Sequence, residues 1–136
     1  MNTADCIEFT LARVVERIGD PAPRVYQRLF AELPALQALF VNDARGSVRG
    51  EMFHRAIEAL TDLAGERPHA PGMLTAERIN HEGLGVTAAQ FEQLFTILVQ
   101  VFREVLGADW TAEIDAAWRQ VLRRAADATG APPVQR

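Results

Sequence analysis

Apolar residues recur along the chain at intervals of three and four rather than in alternation, so the pattern predicts helices and no strands. Ile7, Leu11, Val14, Val15 and Ile18 form a first amphipathic stripe, which stops at Gly19-Asp20-Pro21. A second helix begins near Pro23, whose fixed φ suits a first helical turn, and carries Tyr26, Leu29, Phe30 and Leu33 on one face until Pro34 interrupts it. Leu36, Leu39 and Phe40 make a short helical turn. The polar stretch from Val41 to Gly46 reads as a loop, and Ser47 is placed to cap a third long helix running to about Leu63. Gly65, Pro68, Pro71 and Gly72 then break the chain. A short helix from about Leu74 to His81 follows, too short to stand without tertiary packing.

The segment His81-Glu82-Gly83-Leu84-Gly85-Val86 ends that helix and turns through two glycines into the next. There Thr87 and Gln90 form a capping-box pair ahead of the stripe Phe91, Leu94, Phe95, Leu98, Val101, Phe102 and Val105. This is the most apolar face in the chain, which predicts a central position. Gly107 ends it, Thr111 is placed to cap the last helix, and Ile114, Ala117, Trp118, Val121, Leu122 and Ala125 give that helix its inner face. Gly130 to Arg136, with two prolines, reads as a frayed tail. The expectation is one all-α domain over residues 1–136.

Composition narrows the function. A chain of 136 residues buries roughly two thirds of the surface that its unfolded form exposes, enough for a core and a cofactor. With 49% hydrophobic residues and a net charge of −4 it lacks the basic footprint of a nucleic-acid or anionic-membrane binder. All 14 basic residues are arginine, which excludes Schiff-base lysines and phosphate-loop or kinase-type lysines. The absence of lysine otherwise reads as codon usage. Cys6 is the only cysteine, so there is no internal disulfide, cysteine zinc site or iron–sulfur cluster, and beside Ile7 it reads as a small apolar residue. The N-terminus has Asp5 and Glu8 in place of a signal pattern, and no run reaches the roughly 18 apolar residues of a membrane span, so the cytoplasm is the expected location.

The candidate chemistry centres on His81. A histidine on the last turn of a short helix, facing the apolar surface of the next, is how a helical protein presents an imidazole to haem iron. A lone histidine there also caps the final carbonyls, so the weight rests on its company: Tyr26, the single tyrosine, and Phe40. His54, next to Phe53, and His69, between prolines, read as solvated side chains.

Tyr26-Gln27-Arg28-Leu29-Phe30, then Pro34 through Phe40, then His81 through Val86, a long helix and the Ala117-Trp118 pair resemble bacterial single-domain globins and the haem domain of flavohaemoglobins. The resemblance runs from about Pro23 to about Leu122. It implies a three-on-three helical sandwich around haem b, with His81 as the proximal iron ligand, Phe40 against the haem face, and Tyr26 as the distal hydrogen-bond donor to bound ligand. Gly50 lies inside a helix at a cost of roughly 1 kcal/mol relative to alanine, which reads as room for a close helix crossing. In globins such a residue follows the distal position. That register makes Arg49 the distal residue and Phe53 the next side chain toward the haem; Val86 and Leu98 complete the implied contacts.

Three positions depart from the family pattern. Arg49 replaces the usual glutamine or histidine, and is expected either outward on a haem propionate or inward on an anionic ligand. Phe91 stands ten residues after His81 where flavohaemoglobins carry a tyrosine, so a strong proximal push is not expected. Glu77, four residues before His81, replaces an apolar residue and predicts a shifted or partly irregular proximal helix. The implied function is binding of O2, NO and CO. Oxidation of nitric oxide to nitrate would need an external reductase, and the enzyme assignment stays open beside a gas-sensing or haem-transfer module and a haem-free interaction domain.

Overall fold

The computed structural model describes residues 1–130, and the tail beyond Gly130 lies outside them. Among the described residues the chain is all helix and turn, as the apolar periodicity predicts. Helix α1 spans Thr3–Ile18, α2 Ala22–Glu32, α3 Pro34–Gln37, α4 Ser47–Ala64, α5 Ala70–Glu82, α6 Ala88–Leu106 and α7 Ala112–Thr129, with 3₁₀ turns at Ala38–Phe40 and Gly107–Asp109. Helices α1, α4 and α5 make one layer and α2, α6 and α7 the other, joined by packing of α1 on α6 and α7, α4 on α2 and α7, and α5 on α6 and α7. This is the three-on-three helical sandwich.

The core sits between the layers. Helix α6 contributes Phe95, Ile97, Leu98, Val101, Phe102 and Leu106, all fully buried or nearly so, which bears out the central position given to its stripe. The predicted inner face of α7 is buried throughout, and the Trp118 indole N–H donates to Thr10 Oγ1 at 3.0 Å, so the largest buried side chain keeps its polar atom paired. Arg17 ties α1 to the end of α6 by donating to the Val105 and Leu106 carbonyls at 2.8 Å each. Cys6 is buried, as its neighbours predict.

Two element boundaries differ from expectation. Helix α5 begins at Ala70, ahead of the predicted Leu74, because Pro71 falls in its first turn, where no backbone donor is required and a fixed φ helps. Helix α4 is not capped by Ser47, which is its first helical residue. The chain instead turns at Gly46, with φ 77° in the left-handed region, and the Asp43 carboxylate reaches forward to accept from the Val48 and Arg49 amides at 3.0 Å each. The capping boxes and caps at Thr87 and Thr111 form as the sequence suggests.

Candidate functional site

The proximal side is built by the end of α5. His81 Nδ1 lies 2.7 Å from the carbonyl oxygen of Glu77, one turn earlier. A carbonyl only accepts, so Nδ1 carries the proton and Nε2 keeps its lone pair, the tautomer a metal ligand requires. After His81 the chain reverses sharply: the Leu84 and Val86 amides both donate to the His81 carbonyl, at 2.9 and 3.0 Å, with Gly85 at φ 89° making the turn. The reversal buries Val86 and starts α6 so that Phe91 meets the imidazole, with ring centroids 5.0 Å apart. Phe91 in turn meets Phe95 edge-on at 5.5 Å. The anticipated irregularity at Glu77 does not occur, because α5 is continuous from Ala70 to Glu82 and its backbone carbonyl at Glu77 orients the histidine.

His81 opens onto a cavity of about 470 Å³ between α4, α5 and α6, within the roughly 300–1,000 Å³ of small-molecule and cofactor sites. Leu74, Phe91, Leu94 and Phe95 line it from α5 and α6, and Val48, Met52, Ala56 and Ala59 from α4, with Glu51, Arg55 and Glu77 also in the wall. The walls are thus apolar with a few charges, as a site for a flat apolar group bearing charged substituents requires. No three His, Cys, Asp or Glu side chains converge among the described residues. A metal on His81 would therefore take its remaining ligands from a macrocycle or solvent.

Tyr26 and Phe40 do not border this cavity and lie instead in an aromatic cluster. Tyr26 packs against Phe40 edge-on at 5.8 Å and against Phe30 at 5.9 Å, while Phe30 and Phe40 lie 5.4 Å apart. Tyr26 is 2% exposed, and its hydroxyl has no hydrogen-bond partner among the described residues. Leaving such a group unpaired costs about 1–3 kcal/mol, so the position fits a donor held for an acceptor that the protein does not itself supply. Burial pushes the phenol well above its ordinary pKa, against a smaller opposing effect of Arg49 and with a minor contribution from Asp43. It remains a protonated donor.

The distal α4 residues inferred from sequence are displaced by one position. Arg49 does not border the cavity: half-exposed, it turns to Asp43, its Nε donating to the carboxylate at 3.0 Å and its Nη2 to the carbonyl at 2.8 Å. Burial alone would raise the Asp43 carboxyl, but the two amides and the guanidinium outweigh it and hold it below the usual range. Phe53 is buried toward α1 and α6, lining a separate cleft with Gly50. The residues one place earlier, Val48 and Met52, face His81's cavity instead, a rotation of about 100° on a helix. The close-crossing reading of Gly50 fails, since a Cβ there would meet nothing within 4 Å. Leu98 is fully buried and Val86 nearly so, but neither borders the cavity. His54 and His69 are exposed beside Glu58 and Asp62.

Sequence reasoning missed Asp43, Met52 and Val48. The signal for the last two is the apolar spacing Val48, Met52, Ala56 and Ala59, which continues one face of α4.

The family model for globins matches residues 23–129, from the start of α2 to the end of α7. The chain is a member of the globin family. Globins as a family bind haem and, through it, oxygen. No curated protein and no solved structure matches the chain. Helix α1, ahead of the matched segment, packs on α6 and α7 as part of the same body. No helix among the described residues is long and apolar enough to cross a membrane.

Proposed function

We propose that this globin holds haem b through His81 and binds diatomic gases, O2 foremost, under the hydroxyl of Tyr26. The observation that carries the reading is the Nδ1–carbonyl bond at 2.7 Å, which leaves the Nε2 lone pair available on a histidine that borders an apolar cavity. The buried Tyr26 hydroxyl, without a hydrogen-bond partner among the described residues, supports it as a donor held for an outside acceptor. Haem iron, when bound, supplies the electron density that makes a diatomic ligand bindable and partly anionic.

The chain's own residues do the rest. His81 anchors, with Phe91 packed at a tilt against it and the neutral Glu77 carbonyl fixing the ring. A neutral acceptor withholds the push that a carboxylate partner would give, in keeping with Phe91 where flavohaemoglobins carry a tyrosine. Tyr26 donates to the negative end of the ligand in a site from which water is excluded, a bond worth on the order of 1–3 kcal/mol. Phe30 and Phe40 hold the phenol, and Phe40 covers the distal side. Arg55, a cation at the cavity wall paired with Glu51 at 3.5 Å, is better placed than Arg49 to meet a haem propionate.

With nitric oxide as second substrate, we infer conversion of NO and O2 to nitrate, for which an external reductase would supply the one electron that each turnover needs. The test is single-turnover mixing of the oxygenated holoprotein with nitric oxide. Stoichiometric nitrate supports the reaction. Release of O2 without nitrate leaves a carrier, and no oxygenated form at all refutes the gas-binding reading.

A further inference from the structure

One more side chain beside His81 carries a lone pair suited to haem iron. Cytochromes c hold their iron between a histidine and a methionine thioether, and Met52 borders the His81 cavity from α4. It shares one helix face with Val48, Ala56 and Ala59, at spacings of three and four. Those three side chains are short and purely hydrocarbon, so from this face only Met52 reaches out and only Met52 presents a donor atom. His81 comes from α5, so the two donors border one cavity from different helices, as axial ligands on opposite faces of a flat group must.

The carboxylates in the same wall are poorer candidates. Glu77 stands one turn before His81 and approaches from the same side. Glu51 is exposed and paired with Arg55 at 3.5 Å. Either would bring a charge into apolar surroundings, whereas a thioether is neutral, polarizable and flexible enough to follow the iron. Tyr26 does not border the cavity and so offers no competing phenol there. We propose that Met52 is the sixth ligand of the haem, bound trans to His81 whenever no gas occupies that position, so that O2, NO or CO enters by displacing it. The inference rests on haem held by His81 and adds a switch on the other face. Sulfur ligation favours ferrous iron and raises the reduction potential, and it lowers apparent gas affinity by the fraction of molecules in which the sixth position is open.

Met52→Leu conserves volume and removes the donor, so the fold should persist. In the hemin-loaded wild type, the ferric spectrum should be low-spin with a weak far-red sulfur-to-iron charge-transfer band, and proton NMR of the ferrous protein should show one methionine methyl shifted far upfield by the macrocycle's ring current. Met1 and Met73 are 62% and 59% exposed, so that signal has one assignable source. Met52→Leu should lose both signatures, turn high-spin, fall in reduction potential and bind CO about tenfold more tightly, as expected when the open form is about a tenth of the wild type. A wild type that is already high-spin, or that keeps its spectrum and upfield methyl in Met52→Leu, would overturn the proposal; a Soret band that still depends on His81 then leaves the histidine anchor standing. Hemin uptake indifferent to His81 overturns both.

Discussion

A ring nitrogen can hold iron only while it keeps its lone pair, and at His81 the Glu77 carbonyl favours this at Nε2 by accepting a hydrogen bond from the N–H at Nδ1. His81→Ala should therefore abolish stable haem uptake, read as loss of the Soret band, with added imidazole restoring part of it. Far-UV circular dichroism should stay near wild type. Helix α5 keeps its buried Ala70 and Leu74 and its Thr75 bond to the Ala128 carbonyl at 2.5 Å, none of which involves the imidazole. Tyr26→Phe should act with opposite signs in the two forms of the protein. Without haem it removes an unpaired buried hydroxyl, so thermal stability should rise by about 1–3 kcal/mol. With haem it removes the donor, so O2 should leave about 5- to 150-fold faster, and CO, which carries less negative charge when bound, should respond much less. A fall in haem-free stability would mean that the hydroxyl already has a partner. These two residues were legible in the sequence because each stands alone of its kind in a local pattern: one tyrosine on an apolar face, and one histidine before a glycine turn.

Among the elements, α4 and α6 carry what the sequence did not disclose. On α4 the distal register was inferred from Gly50, and a helical glycine fixes a register only if something packs against it. Nothing does, so Arg49 and Phe53 were placed one residue out of phase with Val48 and Met52. Asp43 was equally hidden, because a carboxylate in a polar loop reads as solvated until the Gly46 turn brings it under the first amides of α4. On α6, Glu92 is buried against α7, with the Thr129 hydroxyl donating to it at 3.4 Å, and burial pushes its pKa up to about 7 despite that bond. A carboxyl with a raised folded pKa binds its proton more tightly folded than unfolded, so its contribution to stability declines as pH rises from about 4.5 and is fully lost above about 7. Glu92→Gln should match wild type near pH 4.5 and exceed it by up to about 3 kcal/mol at pH 8. Denaturant melts of both proteins at the two pH values check this, and parallel curves would show that Glu92 is solvated or paired.

At the scale of the whole molecule, the all-α class was legible in the apolar periodicity and its stops, whereas the three-on-three arrangement came from the resemblance to globins carried by residues such as Tyr26, Phe40 and His81. The length of α5 was less so, since prolines in a first turn look the same in sequence as prolines that break a helix. The layers place His81 on one wall of a cavity and bury Tyr26 in an aromatic cluster without a hydrogen-bond partner among the described residues, and the account's central claim is that haem joins these two. Titration of the purified protein with hemin, followed by absorption spectra in the ferric, ferrous and CO-bound states, tests it most directly. The account predicts uptake of one haem per chain and the CO spectrum of a histidine-ligated ferrous haem, absent in His81→Ala. Hemin that binds without saturation, or gives the same spectrum in wild type and His81→Ala, would contradict it.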